Sequence, residues 1–138
     1  MQLDVPTIID SVYYYRPGLW DALVKTYSLE MLSKHTAACG KTALTYAMEY
    51  SPDYVVLGLI DNGIDPNIAD ISGDYPLHKL VEHRMRDRQN HMYLLLECLR
   101  KGADPKVTNL GGESVLKRAI SCSQTDIVRT LSALEKSK

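Results

Sequence analysis

The sequence predicts an all-α solenoid, a stack of helix-turn-helix units joined by hairpin-like loops. Three observations carry that expectation. A short pattern occurs twice, as Gly40-Lys41-Thr42-Ala43-Leu44-Thr45-Tyr46-Ala47 and Gly73-Asp74-Tyr75-Pro76-Leu77-His78, 33 residues apart. Each copy opens an apolar stretch of helical period. Each stretch closes on a Gly-x-Asp-Pro turn, Gly63-Ile64-Asp65-Pro66 and Gly102-Ala103-Asp104-Pro105. A fixed spacing of this length marks supersecondary units that bury their apolar faces only by stacking on their neighbours.

The N-terminal third is the least regular. Pro6 to Tyr15 reads as helical, Arg16-Pro17-Gly18 as a turn, and Leu19 to His35 as resumed helix broken near Tyr27-Ser28. Leu19, Ala22, Leu23, Leu29, Met31 and Leu32 are its apolar positions. Residues 1–37 therefore read as a helical N-terminal cap and a degenerate repeat, since the end of a stack must hide one apolar side. The next unit covers 38–69. Thr42 is placed to cap its first helix, which carries Leu44, Ala47 and Met48 on one face. Ser51-Pro52-Asp53 interrupts, and Val55, Val56, Leu59 and Ile60 form the stripe of the second helix. Gly63 ends it in the left-handed conformation that suits a residue without Cβ.

The unit at 70–108 repeats this grammar. Pro76 suits a first helical position, where its missing N–H costs nothing, whereas Tyr75 replaces a capping hydroxyl and weakens the cap. Leu77, Leu80 and Val81 face inward, followed by Leu94, Leu95, Cys98 and Leu99. Gly73 to Gly102 spans 29 residues against 23 from Gly40 to Gly63, so a six-residue insertion lies between the helices, around Arg84 to Gln89. The last unit, 109–138, has Ser114 as its cap and Ile127, Val128, Leu131 and Leu134 as its stripe. Asp126, Arg129, Ser132, Glu135 and Lys136 supply a polar flank, as the closing helix of a stack requires.

Composition sets limits on function. The chain has the length of one domain, 138 residues, and its net charge of −1 gives no global attraction for nucleic acid or an anionic membrane. No apolar run approaches the roughly 18 residues of a membrane span, and the start lacks the form of a secretory signal. Cys39, Cys98 and Cys122 are odd in number and widely spaced, which points to a reducing, cytoplasmic or nuclear setting without a disulfide framework. Nine tyrosines and no phenylalanine suit half-buried walls and interfaces, or simply core positions. The run Tyr13 to Tyr15 either covers the first repeat or pairs two chains, so a monomer and a weak homo-oligomer are both open.

Over residues 38–134, and more weakly over 19–37, the chain resembles the ankyrin repeat family. The period, the two-helix units, Pro76-Leu77-His78 and both Gly-x-Asp-Pro turns carry the resemblance. Thr45 and Lys117 stand where other units of the family have histidine, which weakens bonding between neighbouring loops. The resemblance implies a non-catalytic protein–protein interaction module without cofactor. Its partner would be another protein, and its role that of a small inhibitor or adaptor of a signalling protein or transcription factor. A recognition domain of a larger scaffold is the alternative, and Met1 favours the complete small protein.

In that family partners dock along a concave face of loop tips and first helices. Carried onto this chain, the loop-tip positions are Cys39 and Lys41, then Ile71, Ser72 and Asp74, then Leu110, Gly111 and Glu113. The first-helix positions are Glu49 and Tyr50, Glu82 and His83, and Ser121 and Cys122, with Tyr46, Lys79 and Arg118 beside them. Ile71 and Leu110 are the informative pair, because a loop tip in water has no reason to be aliphatic. Flanked by Tyr46 and Tyr50, they form either an apolar contact strip with charged edges or contacts onto their own neighbouring loops.

Two other chemistries compete. Arg84, Arg86 and Arg88, with His83 and His91, could clamp a phosphate or acidic peptide. Asp87 dilutes that charge, and a solvated helix extension is the simpler reading. A zinc or thiol enzyme is the outside alternative: His35 and Cys39 are four apart, which on a continuous helix would place both on one face, yet the segment reads as a helix ending before a loop and no second close pair completes a ligand set. No catalytic and no metal-ligating residue is assigned. Cys98 falls on an apolar stripe, Cys122 lacks a nearby base, and no phosphate-binding loop is present.

Overall fold

Helix starts and stops in this chain are made by side chains that satisfy otherwise orphaned backbone groups. The computed structural model describes residues 4–14, 16–36, 40–82 and 88–136. Eight helices lie among them: α1 (Val5–Tyr13), α2 (Pro17–Lys34), α3 (Ala43–Tyr50), α4 (Asp53–Asp61), α5 (Pro76–Glu82), α6 (Arg88–Arg100), α7 (Val115–Ser121) and α8 (Thr125–Lys136). At α3 a capping box forms. Thr42 Oγ1 accepts from Thr45 N–H at 3.2 Å, and Thr45 Oγ1 accepts from Thr42 N–H at 2.8 Å. Ser114 caps α7 by accepting from Lys117 N–H at 3.0 Å. At α5 the weakened cap is compensated, because His78 Nδ1 accepts from Tyr75 N–H at 3.1 Å.

The Gly-x-Asp-Pro turns end α4 and α6 identically. Ile64 N–H reaches Leu59 O and Gly63 N–H reaches Ile60 O; Ala103 and Gly102 do the same onto Cys98 and Leu99. This is the Schellman arrangement, and Gly63 and Gly102 supply its left-handed residue. The Asp that follows accepts from the backbone two residues on, Asp65 from Asn67 and Asp104 from Lys106, both at 2.9 Å. Asn67 then stitches one turn to the next, donating to Gly102 O at 2.9 Å and accepting from Asp104 N–H at 2.7 Å.

Two rows of helices result. First helices α3, α5 and α7 pack in sequence, second helices α4, α6 and α8 pack beside them, and α1 lies against both α3 and α4 with α2 behind it. The core runs through the stack between the rows. Leu44, Met48, Leu59, Leu77, Leu80, Leu94, Leu95 and Leu131 are fully buried, as are Val115 and Ile127. Each contributes on the order of 2 kcal/mol by its removal from water. Cys98 is buried as its stripe position requires. His78 is buried as well, and its Nε2 lies 2.9 Å from Glu113 O in the following loop. With Nδ1 already accepting from an N–H, Nε2 carries the proton and donates.

Several expectations need correction. Arg16-Pro17-Gly18 is not a free turn: Pro17 opens α2 as its first residue, and α1 stops at Tyr13. Proline's fixed φ suits a helix start, and a two-helix corner with so short a connection satisfies the turn signal equally well. The expected break near Tyr27-Ser28 is present, as a kink at Ser28 with φ of 68°. Because the kink rotates the faces, only Leu23 and Leu32 of the expected stripe are fully buried, while Ala22, Leu29 and Met31 are exposed. The insertion lies outside the described residues up to Asp87, as do His83, Cys39 and Tyr15. No described helix is long and apolar enough to cross a membrane.

Candidate functional site

The hairpin-like loops place the candidate residues. In the second loop Asp70 Oδ1 accepts from Ser72 N–H at 3.0 Å and Asp74 N–H at 3.1 Å, and Asp70 N–H donates back to Asp74 O. Asn109 does the same in the third loop, accepting from Gly111 and Glu113 N–H. These closed loops hold their tips outward. Ile71 is 74% exposed and Leu110 81%. Each also leans on the preceding loop. A Cβ on Gly40 would fall 2.1 Å from Ile71 Cγ2, and one on Gly73 would fall 2.4 Å from Leu110 Cγ and 2.8 Å from its backbone N. Ile71 N–H also donates to Gly40 O at 2.8 Å. Each aliphatic tip is thus seated on its neighbouring loop, as the second of the two sequence readings expects, and still faces water.

Beneath the tips, the charged candidates are bonded to one another. Lys41 Nζ meets Glu49 at 2.9 Å, and Lys79 Nζ meets the same carboxylate at 3.0 Å. Lys79 continues to Asp74 at 3.4 Å and Glu82 at 3.6 Å. Arg118 then gathers Asp74 at 3.2 Å, Glu82 at 3.1 Å and Glu113 at 2.7 Å. Asn109 Nδ2 closes the network by donating to Asp74 at 2.9 Å. One chain of ion pairs thus crosses α3, α5 and α7, three cations against four carboxylates. Lys79 and Asp74 were expected on a contact surface, yet they are only 9% and 8% exposed. Their charges serve the stack first.

The electrostatics follow from this arrangement. Burial disfavours the charge of Glu49, but hydrogen bonds from Lys41, Lys79 and Tyr50 outweigh it and hold its carboxyl down at about 2. Burial opposes ionisation of Asp74 too, and the bonds from Asn109 and Arg118 still keep its pKa lowered. Lys79 and Arg118 are displaced upward against their own desolvation, Lys79 by Glu49 and Glu82, Arg118 by Asp74 and Glu113.

Tyr46 and Tyr50 stand together on α3 with ring centroids 4.9 Å apart, Tyr46 half-buried and Tyr50 exposed. Ser72 is exposed at its tip beside Ile71. Among the described residues, no three His, Cys, Asp or Glu side chains are grouped to hold a metal ion. Sequence reasoning missed Asn109, whose position is equivalent to Asp70 and whose amide links two loops. The offset of 39 residues between them, matching Gly73 to Gly112, is the signal that finds it.

No protein-family model matches the sequence, and no curated protein matches it. The architecture is similar to the crystal structure of an ankyrin repeat domain from Acinetobacter baumannii AYE, with a TM-score of 0.66. The match covers 88% of this chain and 62% of that one at 24% identity. The likeness shows the fold, an all-α ankyrin-repeat stack.

Proposed function

We propose that this protein is a non-catalytic interaction module that takes a protein partner on the face formed by its loop tips and first helices. One observation carries the reading: Ile71 and Leu110 project into water from successive loops, above an ion-pair network that fixes the backbone and side chains beneath them. An aliphatic anchor on a pre-ordered base loses little conformational entropy on binding, which is how a small contact yields useful affinity. Tyr46 and Tyr50 extend the apolar strip, and Lys41, Ser72, Glu82 and Glu113 form its polar rim. Near-neutral overall charge favours a protein over nucleic acid or a membrane surface as partner. On the family resemblance, we read its role as that of a small inhibitor or adaptor acting in the cytoplasm or nucleus.

The test is an affinity capture from cell lysate read by mass spectrometry, with Ile71→Asp/Leu110→Asp as the paired bait. Both side chains are solvent-exposed, so the double variant is expected to keep wild-type helicity and to lose the partner. Undiminished capture by the folded double variant overturns the assignment of this face.

A further inference from the structure

We propose that the cleft between α1, α2 and α4 is a second docking site, made for an arginine side chain presented by a protein partner. The cleft has a volume of about 520 Å³, and none of the residues of the ion-pair network lines it. Its walls are the rings of Tyr13, Trp20 and Tyr54 with Pro17, and two carboxylates, Asp21 and Asp61, stand with them. Close approach of two helices creates it. Gly58 leaves room for Val12, since a Cβ there would fall 2.4 Å from Val12 Cγ1, and α1 therefore lies hard against α4. Tyr13 and Tyr54 are left side by side, centroids 5.5 Å apart and tilted by 52°, both exposed to solvent.

The chemistry of the occupant follows from the walls. Electron-rich ring faces beside carboxylates attract a cation, and guanidinium is the cation that also stacks flat, sheds water easily and forms paired bonds to a carboxylate. The protein already sets one guanidinium over a tyrosine: Arg16 lies 5.7 Å from the ring centroid of Tyr14, which packs on Tyr13 at 4.8 Å. Asp21 is exposed at the start of α2. Asp61 shares its charge with Lys101 at 3.1 Å, so Asp21 supplies most of the anionic attraction. The volume exceeds one side chain and accommodates flanking residues, as expected for an extended segment.

Trp20 is the only tryptophan in the chain, so its emission reports on this cleft alone. The full chain is titrated with tetra-arginine amide at low salt, with tetra-citrulline and tetra-lysine amides as controls. We expect a saturable change in Trp20 emission with tetra-arginine, and weaker binding by each control. Asp21→Asn and Tyr54→Ala are each expected to weaken binding roughly fivefold with helicity intact. The Ile71→Asp/Leu110→Asp variant should respond as wild type, which separates this cleft from the loop-tip face. No emission change, equal binding of tetra-citrulline or tetra-lysine, or wild-type affinity in both cleft variants overturns the proposal.

Discussion

Replacing Lys79 by Met removes the ammonium at the hub of the ion-pair network while keeping the aliphatic stem. Its Nζ serves Glu49, Asp74 and Glu82 at 3.0, 3.4 and 3.6 Å. Two limits bracket the cost. An exposed pair is worth about 0–1 kcal/mol, whereas stripping one partner from a fully buried pair costs about 3–5 kcal/mol. Lys79 is buried, but each carboxylate keeps a second cation. Glu49 retains Lys41 at 2.9 Å, and Asp74 and Glu82 retain Arg118 at 3.2 and 3.1 Å. The expected destabilisation of Lys79→Met is therefore about 2 kcal/mol, or a Tm lowered by roughly 5–8 °C in a chain of this size. Urea unfolding followed by circular dichroism measures it, within a double-mutant cycle that adds Glu49→Gln. The cycle should return a coupling of about 1 kcal/mol. Unchanged stability in Lys79→Met, or strict additivity with Glu49→Gln, refutes the view that Lys79 ties α3 to α5.

The same pair sets an acid dependence. Glu49 titrates at about 2 in the fold against an ordinary 4.5, so its contribution is complete above pH 4.5 and is lost as pH falls through 2. Glu49→Gln should flatten that part of the pH–stability curve by about 1 kcal/mol, after allowance for solvent screening; an unaltered acid limb contradicts the assignment. Gly73→Ala forces a side chain onto a left-handed residue and into the backbone of Leu110, at a cost of about 2–4 kcal/mol. Gly102→Ala meets open space and costs only the backbone strain, about 1 kcal/mol, so equal losses in thermal melts count against the loop-stacking contact. Ser123 closes α7 at φ 59°, where α4 and α6 use glycine, and Ser123→Gly should raise stability by about 0.5–1 kcal/mol. A destabilised Ser123→Gly protein is the contrary result.

Much of the fold was legible because the relevant chemistry is local. Thr42 and Ser114 cap helices through bonds spanning three residues, and Gly63 and Gly102 end them through bonds equally short, so each leaves a trace in a short window of sequence. The N-terminal pair was less legible. Proline starts helices and turns alike, and the kink at Ser28 redirects the face that periodicity assigns. The loop-tip positions of Ile71 and Leu110 followed from the family resemblance carried onto the repeat register. What could not be read was how the charged positions spend their interactions. Arg118 meets Asp74 from 44 residues away and Glu82 from 36, distances at which spacing says nothing. Lys79 and Asp74 look like surface residues in the sequence and are buried by the stacking of units around them. The cleft beside Trp20 was equally hidden, since it exists only because Gly58 lets α1 approach α4.

A protein partner gripped at the tips of the loops must lie within reach of Leu110. A photo-crosslinking residue placed at Leu110, and separately at Leu96 on α6, tests this directly in cells or lysate. Both positions are exposed, 81% and 49%, so both reagents are free to react. One dominant protein adduct is expected from position 110, suppressed by Ile71→Asp, and none of that adduct from position 96. The same adduct from position 96, with nothing from position 110, contradicts it.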